Sequence, residues 1–185
     1  MKARLLLPTV LSLLTLMGCD QAKPRHLPPD PMAAGPPPVG PVVPPTEGMS
    51  AGLPQRPERA GFFLDHAGAA AGLGSQQPAA TPADQPAVFD GFGFDPVAKA
   101  PGKGVDVVVD GKAYGTAYGA ARKDVANYFK APGLVNVGFR TILPAGTLAV
   151  GPHTVVVRVV AADGKAYFKS PPIAFAVTPS AGGAH

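Results

Sequence analysis

Between residues 87 and 178 the chain runs in short stretches of alternating apolar and polar positions, divided by turn signals. Val88 to Phe94 is the first, with Phe92 and Phe94 on one face. Val105-Asp106-Val107-Val108-Val109 is the second, and the Asp110-Gly111 that follows is a strong hairpin signal, which makes Lys112 to Ala117 the return strand. Val137 to Ile142 alternates, with Val137, Phe139 and Thr141 on one side. In Thr154 to Ala161 the row Val155, Val157, Val159 faces a core and Arg158 faces solvent. Ala162 to Lys165 reads as a turn, Ala166 to Lys169 as a strand and Ser170-Pro171-Pro172 as a stop, after which Ile173, Phe175 and Val177 form a last inward row. About seven short strands with no room for crossover helices predict an all-β fold, an antiparallel β-sandwich. One helical patch interrupts it: in Arg122 to Phe129, Val125, Tyr128 and Phe129 fall at i, i+3 and i+4, and Pro132-Gly133 stops the run.

Upstream of residue 87 this pattern is absent. Of the 24 prolines, 15 lie between Pro24 and Pro86. Runs such as Pro28-Pro29-Asp30-Pro31 and Pro36-Pro37-Pro38 carry no apolar periodicity, too little to offset the entropy of ordering. Residues 19–86 therefore read as a disordered, extended linker, with a reach of about 200 Å at ~3.1 Å per residue. One island stands out: Phe62-Phe63-Leu64 ahead of an Ala-rich run, which suggests a short helix in need of a packing partner. Residues 179–185 read as a flexible tail.

The first 18 residues have the proportions of a secretory signal: Lys2 and Arg4, then a mostly apolar run from Leu5 to Leu16 that is too short to span a bilayer. Leu16-Met17-Gly18-Cys19 resembles the lipobox of bacterial lipoproteins. The resemblance implies cleavage before Cys19, the only cysteine, and attachment of palmitate-type lipid to it. It implies an exported protein of the cell envelope, held at the cell membrane or outer membrane by its anchor. The chain has no means of forming an internal disulfide.

Within the folding half, Phe92-Gly93-Phe94-Asp95-Pro96, Val109-Asp110-Gly111-Lys112, Arg122-Lys123-Asp124-Val125, Gly138-Phe139-Arg140 and Gly151-Pro152-His153-Thr154-Val155 occur in that order. Together they resemble bacterial immunoglobulin-like domains carried as accessory modules by exported proteins. That likeness covers residues 87–178 and implies a spacer, adhesive or sugar-binding role. The antibody-type cysteine pair and buried tryptophan are missing.

Charge and chemistry narrow the function classes. Residues 87–179 hold 10 basic and 6 acidic side chains, too small and too scattered a surplus for a nucleic-acid partner. Their only serine before residue 180 is Ser170 and their only histidine His153, so no nucleophile–base–acid set suggests itself and an enzyme is not expected. Asp90, Asp95, Asp106, Asp110, Asp124 and Asp163 lack the spacing of a calcium loop, His66 has no companion ligand, and no metal or cofactor is expected. Gly91-Phe92-Gly93 reads as a strand under close packing. Tyr114, Thr116 and Tyr118 share a strand parity beside Lys112, which makes Tyr114 and Tyr118 candidate contacts for a sugar ring or a protein partner. Arg122, Lys123 and Lys130 read as a solvated basic edge, with acidic glycans or lipid headgroups as the sharper alternative. The expected function is a membrane-anchored lipoprotein displaying a non-catalytic binding or assembly module for an envelope protein or glycan; the alternative is a carbohydrate-binding accessory using the two tyrosines.

Overall fold

The computed structural model describes residues 44–68, 70–71 and 79–180. The signal segment, Cys19 and the proline runs before residue 44 lie outside the described residues, as do residues 181–185. The strands are β1 (Gln55–Arg59), β2 (Gly61–Ala67), β3 (Ala70–Ala71), β4 (Ala79–Pro82), β5 (Ala87–Asp95), β6 (Ala100–Pro101), β7 (Gly104–Val109), β8 (Lys112–Tyr114) and β9 (Ala117–Ala120). Helix α1 (Lys123–Tyr128) and a 3-10 turn (Pro132–Asn136) follow, then β10 (Gly138–Leu143), β11 (Gly151–Val160), β12 (Tyr167–Lys169) and β13 (Ile173–Thr178).

Two sheets form a β-sandwich. In the first, the long β11 pairs with β7 along one edge and with β12 and β13 along the other, and β7 pairs in turn with β8. In the second, the order is β3-β2-β5-β10-β9. Between them lies the expected valine row of β11, with Val155, Val157 and Val159 fully buried against Val105 and Val107 of β7 and Phe89, Phe139 and Leu64 of the second sheet. Phe89 meets Phe175 edge-on across the interior, with ring centroids 5.2 Å apart. The hairpin at Asp110-Gly111 forms as expected, with φ of 49° and 82° at its two central residues.

Six of the seven strands read from the sequence are present, but the fold begins earlier and holds more. The linker does not extend to residue 86: β1, β2 and β4 are built from residues assigned to it. The Phe62–Leu64 island is a strand, not a helix. In β2, Leu64 points into the core while Phe63 points out. Strands β1 and β4 pair in parallel with β12 and β13, so the sandwich is not wholly antiparallel. The partners in each parallel pair are far apart in the chain, and the long connections between them, which pass through the second sheet, are what parallel neighbours require. The expected return strand, Lys112 to Ala117, is split: β8 lies in the first sheet and β9 in the second.

Residues ahead of β1 cover the outer face of the first sheet. Thr46 bridges to Ala113, and Asp106 accepts hydrogen bonds from the backbone N–H groups of Met49 and Ser50 at 2.8 and 2.7 Å. Arg158, expected in solvent, is half-buried here: its guanidinium lies 5.2 Å from the Tyr167 ring and donates to Ser50 Oγ.

Candidate functional site

The outer face of the second sheet carries a groove of aromatic rings. It originates in the parity of β5. Phe89, Gly91 and Gly93 take the inner positions, which turns Phe92 and Phe94 outward. The small inner residues let the neighbouring backbone close in. A Cβ on Gly91 would stand 2.0 Å from the Phe63 carbonyl oxygen, which agrees with the close packing read from Gly91-Phe92-Gly93. Strand register places Phe63 of β2 opposite Phe92. Their rings are 6.2 Å apart and within 18° of parallel, and Phe92 and Phe94 repeat that spacing at 17°.

Helix α1 forms the wall. Val125 is buried with Phe94, Leu134 and Val137, which fixes the helix on the sheet and brings Phe129 edge-on to Phe92 and Phe94 at 6.1 and 5.1 Å. Tyr128, expected on the packed face with Val125, is instead 81% exposed, with its ring T-shaped to Phe129. The buried face of the helix runs through Val125 and Ala126, which turns Tyr128 outward. Phe63 and Phe129 are 46% and 43% exposed. The resulting groove has a volume of about 540 Å³.

Arg122 divides this groove from a polar recess. Its side chain donates to Asp124 through Nε and Nη2, at 3.0 and 2.7 Å, and to Asp65 of β2 through Nη1. Its guanidinium lies 5.5 Å from the Phe92 ring centroid. Hydrogen bonding to Asp124 raises the Arg122 pKa against the opposing effect of burial, and Arg122 in turn holds Asp124 at about 2. The basic edge expected of Arg122, Lys123 and Lys130 is thus interrupted, because Arg122 is neutralised by two carboxylates. Beyond Arg122 the recess, about 240 Å³, is lined by Asp65, Asp90 and the glycines 91 and 138. Asp90 pairs there with His66 Nδ1 at 2.6 Å and approaches Arg140 Nε at 4.0 Å. His66 is therefore engaged with a carboxylate.

The tyrosine strip does not form. Tyr114 is 5% exposed and packs in the core between the sheets. Tyr118 lies half-buried on a different strand, with its hydroxyl donating to Gly93 O at 2.8 Å and accepting from Gly102 N. Burial raises the pKa of both phenols. The sheet change at Gly115-Thr116 separates two residues whose parity placed them together, so neither is available for a ligand. Ser170 is buried, accepts from Val157 N and donates to Pro171 O, away from His153. Asp95 caps a turn through Val97 N and Ala98 N and holds Ala162 N, while Asp163 pairs with Arg56. Among the described residues no group of three His, Cys, Asp or Glu side chains is placed to hold a metal ion, and no helix is long and apolar enough to cross a membrane.

No family model, no curated protein and no solved structure matches this chain. What the groove does must therefore be argued from its own chemistry.

His153 has a different role from the groove. Its Nδ1 faces Asp110 Oδ2 at 2.6 Å and its Nε2 faces the Ala149 carbonyl at 2.7 Å, so only the imidazolium donates to both. Burial lowers the His153 pKa, but the bonds to Asp110 and Ala149 outweigh it and the net shift is upward. Asp110 is shifted the other way: burial raises it, and His153 and the Thr154 N–H more than reverse that. The stabilisation from His153 is fully present below the ordinary histidine pKa and is lost as pH rises through the raised value. That from Asp110 is present above the ordinary carboxylate range and is lost as pH falls through its lowered value. In denaturant titrations from pH 5 to 9, wild type should lose stability on the alkaline side and His153→Asn should lack that component. An identical slope in both proteins would contradict the bonding of a protonated His153 to Asp110 and Ala149.

Proposed function

We propose that this chain is a lipid-anchored protein of the bacterial cell envelope whose β-sandwich is a non-catalytic binding module, and that the aromatic groove is its binding face. The observation that carries this reading is the clustering of Phe63, Tyr128 and Phe129, all exposed, in one groove of a rigid frame. Exposed rings grouped in this way are what a recognition surface needs, since a few aromatic anchors dominate binding energy. The frame beneath them is fixed by strand pairing and by Val125, so binding orders few side chains.

The lipobox at Leu16–Cys19 supports the anchor, and the proline runs that follow it suit a spacer between anchor and module. Two measurements test the two halves. The mature protein from cells should begin at Cys19 and carry a diacylglyceryl adduct that globomycin-type inhibition abolishes; an unmodified Cys19 would remove the anchor. The mature protein should also be retained on purified cell-wall material, and Phe63→Ala with Tyr128→Ala should release it. Equal retention of the double variant would remove the groove.

A further inference from the structure

Taking the groove as the binding face, we infer that its ligand is an uncharged or amino-substituted saccharide chain lying across Arg122, with one sugar against the rings and the next over the polar recess. The site has two unlike halves that share Asp65 and Arg122. On one side stand the near-parallel rings of Phe63 and Phe92, with Tyr128 beside them. On the other stand the Asp65 and Asp90 carboxylates and the His66 and Arg140 side chains that face Asp90.

A purely apolar partner, such as a proline-rich or hydrophobic peptide, fits only the first half. Across the second its apolar side chains would strip water from the carboxylates and offer them no donors in return. A polyanion is disfavoured as well. Asp65, Asp90 and Asp124 oppose Arg122 and Arg140, leaving no surplus of arginine charge among the groups that line the site. A sugar meets both demands. The C–H face of its ring packs on an aromatic ring, and its hydroxyls donate to carboxylates and accept from guanidinium groups. The recess floor is closely packed backbone at Gly91 and Gly138, so a sugar would rest on it rather than enter it.

The test is titration of the full mature chain, with Cys19→Ser to keep it free of lipid, against N-acetylglucosamine oligomers and muramidase-solubilised peptidoglycan. A proline-rich peptide and heparin serve as comparison ligands. Saccharide binding should fall by about 10-fold or more in Phe63→Ala and, separately, in Asp90→Asn, while both variants melt like wild type. Loss in Phe63→Ala alone would overturn the two-sided saccharide mode, as would tighter binding of the peptide or of heparin. If no saccharide binds but the groove variants still lose retention on whole cell wall, the saccharide inference fails and the binding face survives. If neither retention nor binding responds to the groove, both fail.

Discussion

Phe63→Ala combined with Tyr128→Ala is expected to weaken ligand binding on the order of 100-fold while leaving the fold almost as stable as wild type. Each buried aromatic anchor at an interface contributes roughly 2 kcal/mol or more, and about 1.4 kcal/mol is a factor of ten. Two such residues that share a ligand couple to each other, so the combined loss is held below the simple sum. Stability is spared for a reason that can be read at each site. Tyr128 is 81% exposed with its ring T-shaped to Phe129, and Phe63 gives up a stacked neighbour, Phe92. Phe94→Ala is the informative contrast. That ring is 7% exposed in the cluster under α1, so its removal should cost fold stability and binding together. Differential scanning calorimetry beside the binding titration separates the two outcomes.

Asp106→Ala is the second large effect, and it falls on the fold. The carboxylate is 3% exposed and accepts from two backbone N–H groups of residues 49 and 50. Hydrogen bonds to charged groups contribute about 1.5–3 kcal/mol each, and the variant leaves two donors without an acceptor. A loss of about 3 kcal/mol is expected by urea denaturation, together with faster amide exchange at Met49 and Ser50. Gly48 marks the same clasp from the other side. Its φ is +78°, and a Cβ there would stand 2.9 Å from both Ala113 Cβ and Asp106 Oδ2. If Asp106→Ala unfolds at the wild-type urea concentration, residues 44–53 are not held as described.

The sequence made the inner strands legible because their two faces differ. Val155, Val157 and Val159 form one unbroken row, the opposite face carries Thr154 and Arg158, and the Asp110-Gly111 turn fixes the hairpin before them. It failed where composition and structure part ways. Pro54, Pro57 and Pro82 lie in or beside edge strands, where a missing N–H costs least, so β1 and β4 looked like linker. In β2, three successive apolar residues hide the alternation, and a register shift between Leu64 and His66 breaks it further. Parity along a strand also assumes that the strand stays in one sheet. Thr116 sits at the crossing, bonded to Tyr114 O and to Thr141 Oγ1, and sends Tyr118 to the opposite layer.

The groove was legible only in part. Its signal was present in the contrast between Phe92 and Phe94 on one parity and Gly91 and Gly93 on the other, which says that the aromatic side is not the tight inner side. Paired aromatics at Phe62-Phe63 and Tyr128-Phe129 supplied the rest. What no periodicity contains is that these segments, far apart in sequence, meet across β5. That meeting depends on the Arg122–Asp65 pair and on the seating of Val125.

The most direct test of the central claim is photocrosslinking in living cells. A benzophenone side chain placed at Tyr128 should capture cell-envelope material on irradiation. The same group at Val150, 56% exposed but outside the groove, should capture little. Crosslinking from Val150 with none from Tyr128 would contradict the groove as the binding face.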